Sequence, residues 1–176
     1  MATKKTSMFT LTERMTISAA NTAIQATIDL GSYVDVGDRQ AIQVHSVDFI
    51  YQGTLPSSSV PLELGAAAAI TVQVTDLNRG GLVMADDRAL VASGQLTYDP
   101  AGIFDNTTDL YPDNFGKGSD DGRYVVNDQL YITGLTDVLA PAGGVLNITV
   151  RVNASIVSLT AKDFMAIAIQ STAADN

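Results

Sequence analysis

The chain has no cysteine and no tryptophan, a single histidine, and only 6% aromatic residues. Without cysteine there is no disulfide, no thiolate metal site and no cysteine nucleophile, and the redox compartment stays open. With so few rings, core volume has to come from valine, isoleucine, leucine and alanine. Basic residues are scarce too: ten Lys and Arg against nineteen Asp and Glu give a net charge of −9. Sequence-independent nucleic-acid binding draws on many cation–phosphate contacts, so strong nucleic-acid binding is not expected. No run of about eighteen apolar residues occurs, so no transmembrane segment is expected. The opening MATKKTSMFTLTERM has no apolar core of the kind a signal peptide needs.

What the chain does have is alternation. In Val145–Ser158, VLNITVRVNASIVS, the residues Leu146, Ile148, Val150, Val152, Ala154 and Ile156 share one parity. Asn147, Thr149, Arg151, Asn153 and Ser155 share the other. Strand side chains point to opposite faces in turn, so this stretch is a long strand with one dry and one wet face. Its dry face needs a second apolar layer, which implies a sandwich or barrel. Further strands are expected at 8–17, 23–30, 40–52, 66–76 and 129–133, with short ones at 95–98 and 123–126. Glu13 interrupts the inner parity of 8–17 and points to a bulge or an edge. In 40–52 the alternation slips between Val44 and Val47; a bulge near His45-Ser46 reconciles it, as does burial of both faces.

Two helices are expected. DDRALVAS (86–93) has acids in a first turn and Gly94 just beyond its end. At 160–171, Thr160–Asp163 resembles a capping box before FMAIAIQ, although Met165, Ile167 and Ile169 also alternate as a last strand would. Residues 1–7 read as a solvated arm, and 99–128, rich in Asp, Asn, Gly and Pro, as one long loop insertion. With no long helices between strands and no internal repeat, the whole chain 1–176 reads as one all-β domain: a two-sheet antiparallel sandwich of jelly-roll type.

Chemistry is hard to find in this sequence. His45 lacks an evident nucleophile and orienting carboxylate, and reads as a strand histidine. The acidic loop offers Asp113, Asp120 and Asp121 as the candidate ligands of a Ca²⁺ ion, but Phe115 falls where an EF-hand needs its second oxygen ligand. No other cofactor is expected. Tyr98, Tyr111, Tyr124 and Tyr131 around that loop could stack on sugars or anchor it to a neighbour. The Asn-X-Ser/Thr matches at Asn106, Asn147 and Asn153 are taken as chance, and Gly80-Gly81 and Gly143-Gly144 as turns.

The Thr/Val/Ala-rich strands at 8–17, 40–52, 67–76 and 145–158, the absence of Cys and Trp, the 99–128 loop and the missing active-site constellation together resemble single jelly-roll virion structural proteins. That resemblance is architectural and rests on no diagnostic motif. It implies a non-enzymatic capsid or shell protein located in the virion, whose partners are copies of itself and other shell proteins. Expected subunit contacts are Ile103, Phe104, Leu110, Tyr111 and Phe115 in the loop, and Phe164, Met165 and Ile167 near the C-terminus. The alternative is a ligand-binding sandwich, carbohydrate-binding or lectin-like, with or without Ca²⁺.

Overall fold

A computed structural model describes residues 2–55, 58–60, 67–99, 103–107, 122–138 and 145–172. In chain order the elements are β1 (Thr3–Lys4), β2 (Phe9–Ile17), β3 (Ile24–Asp29), β4 (Gln40–Leu55), β5 (Ser58–Val60) and β6 (Ala68–Thr75). They continue with β7 (Leu90–Asp99), β8 (Ile103–Thr107), β9 (Arg123–Val125), β10 (Gln129–Thr136), β11 (Val145–Ser158) and helix α1 (Ala161–Thr172).

In the first sheet β11 runs through the middle, with β2 on one side, β1 in line with β2, and β4 on the other. The far edge of β4 carries β5 and β9. The second sheet has the order β3-β10-β6-β7-β8. Setting aside β1, β5 and β8 leaves eight of the described strands in a simple pattern. The first pairs with the eighth (β2·β11), the second with the seventh (β3·β10), the third with the sixth (β4·β9) and the fourth with the fifth (β6·β7). One long hairpin folded across itself gives that pairing, and it is the jelly roll.

The apolar parity of β11 supplies one wall of the core. Leu146, Ile148, Val150, Val152 and Ala154 are wholly buried, facing Ile70, Val72 and Val74 of β6 and Leu130 and Ile132 of β10. Each of these valines, leucines and isoleucines stabilises the fold by about 1.5–3 kcal/mol relative to exposure. The parity slip in β4 is a bulge: the register passes from Asn153↔Ser46 to Ala154↔Val44, and His45 is the extra residue. Val44 and Val47 thereby both reach the core side. Glu13 sits on an edge, since among the described residues β2 pairs with β11 alone.

Beyond Ala154 the outer face of β11 is covered as well. Val157 joins Ala41, Val126, Leu159 and Phe164 in a second apolar cluster beneath α1. Thr160 caps this helix, its Oγ1 accepting from the Asp163 amide at 3.2 Å. The helix is favoured over a last strand because Phe164, Ile167 and Ala168 then reach one surface together.

Three expectations are corrected. Residues 90–93 belong to β7, not to a helix over 86–93, because Leu90, Val91, Ala92 and Ser93 are buried on both faces of the second sheet. The 1–7 arm is paired to the sheet: Thr3 and Lys4 form β1 opposite Ser158 and Val157, and Lys5 Nζ donates to Gln40 Oε1 at 3.1 Å. The 99–128 insertion is not one loop: besides the short strand expected at 123–126, which is β9 and pairs with Ile42–Val44, it contains β8, which returns along β7.

Candidate interaction surfaces

One end of the sandwich is formed by the turn after β3, the 76–89 connection between β6 and β7, and the turn before β10. Hydrogen bonds tie these together. Leu30 N donates to Asp128 O at 2.7 Å, and Asn127 Nδ2 to Asp76 O at 2.7 Å. The 76–89 connection folds back over the outer face of the second sheet and is pinned there by Gln73. Its amide donates to Val83 O at 2.9 Å and its Oε1 accepts from Val83 N at 2.7 Å. That contact leaves Gln73 only 2% exposed. Within the connection, Arg79 Nε meets Asp87 Oδ2 at 3.0 Å.

At the centre of this end lies Asp76, with a side chain 4% exposed. Arg123, the first residue of β9, reaches its Oδ2 at 3.6 Å and also donates to the carbonyls of Leu90 and Arg88. Asp76 Oδ1 has no hydrogen-bond partner among the described residues. Burial raises the Asp76 carboxyl above its ordinary pKa, and the Arg123 and Arg79 charges offset this only in part. One guanidinium therefore staples three elements. This pinned end presents the two most exposed large apolar side chains among the described residues, Met84 at 76% and Val36 at 70%. Sequence reasoning did not single out either one. The signal was the apolar triplet Leu82-Val83-Met84 in a stretch otherwise made of turn residues.

The outer face of β2, β11 and β4 is polar and cross-linked. Thr10 Oγ1 donates to Asn153 Oδ1 at 2.8 Å, and Asn153 Nδ2 to Ser46 Oγ at 2.9 Å and Asp48 Oδ2 at 3.4 Å. Thr16 Oγ1 donates to Asn147 Oδ1 at 2.8 Å. His45 Nε2 lies 2.9 Å from Ser155 Oγ. A serine–histidine contact invites a nucleophile reading, but Ser155 has no exposed surface and so cannot meet a substrate. Among the four tyrosines considered for sugar stacking, the Tyr124 hydroxyl is buried and Tyr131 is half-buried. Tyr51, half-buried against the core, has a buried hydroxyl with no partner among the described residues, and burial pushes its ionisation well above the ordinary phenol range.

The expected contact residues divide three ways. Leu110, Tyr111 and Phe115 lie outside the described residues, together with the candidate Ca²⁺ ligands Asp113, Asp120 and Asp121. Ile103 and Phe104 are placed on β8, opposite Asp99 and Tyr98. At the C-terminus, Phe164 is 5% exposed and anchors the second cluster, with Ile167 half-buried beside it. Met165 faces outward at 58% exposure, as does Ile169. Among the described residues no group of three or more acidic or histidine side chains could hold a metal ion, and no helix is long and apolar enough to cross a membrane.

No protein-family model and no curated protein matches the sequence. Among solved structures the chain is similar to VP1 of Trichodysplasia spinulosa-associated polyomavirus, at 9% identity over 90% of this chain and 99% of that one, with a TM-score of 0.42. Merkel cell polyomavirus VP1 in complex with GD1a oligosaccharide matches at 8% identity, over 90% and 98% of the two chains, with a TM-score of 0.41. Apo chimpanzee polyomavirus VP1 matches at 8% identity, over 88% and 96%, with a TM-score of 0.40. These neighbours are jelly-roll capsid proteins; the jelly-roll assignment of this chain rests on its own strand pairing.

Proposed function

We propose that this chain is a non-enzymatic structural protein that assembles with copies of itself into a viral capsid or similar closed shell. The observation that carries the reading is the distribution of exposed apolar side chains around a stiff sandwich. Met84 and Val36 project from the pinned end, Met165 and Ile169 from the helix over the first sheet, and Met8 (61% exposed) from the edge between β1 and β2. A subunit of a closed shell meets neighbours on several sides, and each contact needs its own anchor. A ligand-binding module would instead gather such side chains into one cleft. The 99–128 insertion, with Ile103 and Phe104 on β8 and Leu110, Tyr111 and Phe115 beyond it, supplies a further contact in this reading. The −9 charge suits a shell layer that does not grip a genome through a basic surface.

The test is light scattering and electron microscopy of the purified protein across a range of concentration and ionic strength. Uniform symmetric particles are expected. A chain that stays monomeric at every concentration and salt condition would refute the reading.

A further inference from the structure

Strand β2 offers nine residues of open edge. Among the described residues it pairs with β11 alone, so its backbone N–H and C=O groups that point away from β11 are a template for one more strand. The side turned to the core is apolar: Phe9, Leu11, Met15 and Ile17 share it, and Met15 and Ile17 are buried. An edge of this length and composition is expected to pair with its own copy. One residue in that row does not fit. Glu13 has the parity of the four apolar residues and is half-buried at the middle of the strand. Its neighbour across the ladder is Val150, which is fully buried. The carboxylate therefore reaches water over the open edge, where an added strand would lie.

We infer that Glu13 is a guard, whose inward-facing carboxylate keeps the β2 edge from pairing with the β2 edge of a second copy. This stands apart from the shell reading, because it concerns a contact that the chain avoids. Two antiparallel copies of β2 about a two-fold axis form one continuous sheet, in which directly opposed residues lie on the same face. Only residues of equal parity can then oppose each other. In the register of longest overlap Glu13 stands opposite Glu13 of the copy, with the Cβ atoms about 4.5–5.5 Å apart. Slid by two residues either way it meets Leu11 or Met15, and by four, Phe9 or Ile17. Each choice sets like charges together or closes a carboxylate in among apolar side chains, and both are unfavourable. Arg14 gives no relief, since it lies on the wet face opposite Thr149. Registers that leave Glu13 out retain only the last few residues of the strand. A charge at the centre of the row thus blocks more pairings than one near an end would.

The test compares full-length wild type with Glu13→Val and with Arg14→Val, which adds the same side chain to the wet face. Hydrogen exchange of the 9–17 amides is followed by mass spectrometry, beside sedimentation velocity over a range of concentration. In the wild type and in Arg14→Val the amides that point away from β11 are expected to exchange freely at every concentration. Glu13→Val is expected to self-associate at least about tenfold more tightly, with the new protection confined to 9–17. Wild-type protein whose outward β2 amides become protected as concentration rises overturns the inference, because the edge is then in use. A folded Glu13→Val protein with the exchange and mass of wild type overturns it as well. If Glu13→Val does not fold, Glu13→Thr, an uncharged strand former, takes its place under the same two outcomes. Particle formation by the wild type enters neither outcome, so the shell reading stands or falls separately.

Discussion

Replacing Arg123 by alanine removes one side chain that holds three elements together. β9 has three residues and, among the described residues, one strand partner, β4. The Arg123 guanidinium is a further tether, bound to the Leu90 and Arg88 carbonyls and facing Asp76. Arg123→Ala leaves a carboxylate that is 4% exposed without its nearer cation. Breaking a buried pair in this way costs about 3–5 kcal/mol; here about 2–4 kcal/mol is expected, because the pair is long and the arginine is partly open to water. For a domain of this size that is a fall in Tm of roughly 5–15 °C. Asp76→Asn is expected to stay within about 1 kcal/mol of wild type, because it removes the buried charge and keeps an acceptor for Arg123. In the Asp76→Asn background, Arg123→Ala should therefore cost about half as much as it does alone. Urea denaturation of the four proteins closes the cycle. Equal losses in both backgrounds, or a loss under about 1 kcal/mol in the native one, would refute the idea that this charge pair is the clasp.

Two further outcomes can be checked on the same instrument. The Asp76 carboxyl is raised by burial, so the folded chain holds that proton more tightly than the unfolded one. Its contribution is favourable at low pH and is lost as pH rises from the ordinary carboxylate range through the raised value. The stability of Asp76→Asn relative to wild type should accordingly grow over that window and then level off; a constant difference from acid to neutral pH would contradict it. Gly94→Ala should cost about 1–3 kcal/mol by overpacking. A methyl group there lies 2.6 Å from Phe49 Cδ2 and 3.1 Å from the Tyr51 hydroxyl. A Gly94→Ala protein with the urea midpoint of wild type would mean that the aromatic pair yields freely.

Legibility in the sequence followed how many faces each strand buries. β11 was readable end to end because one face is dry and the other wet along most of its length. The bulge at His45 showed itself as a change of parity, which is what one extra residue does to a period of two. β7 was misread because the 76–89 connection covers its outer neighbours, so Leu90–Gly94 carries no alternation. A short continuous apolar run does not separate strand from helix. Gly94 then looks like a helix stop, although the structure needs glycine there because the Phe49 ring occupies the space a Cβ would take. β10 runs past the expected end at Thr133 to Thr136 and includes Gly134, where a Cβ would sit 3.0 Å from the sulfur of Met15. β8 was hidden by Asp105 and Asn106, residues that strands usually avoid. The clasp of Asp76 and Arg123 was not legible at all, since it joins residues far apart in sequence through a side chain that looked like part of a strand.

The pairing of first strand with last has a consequence for how the protein is made. Phe9 finds its register opposite Ala154, and Ile17 opposite Leu146. A nascent chain leaving the ribosome thus carries Phe9, Leu11, Met15 and Ile17 without their strand partner until β11 has been made. The second sheet has all its strands once β10 is made, but the first has no middle strand before β11, so a product truncated ahead of Val145 is a substrate for chaperones or proteases rather than a smaller version of the fold.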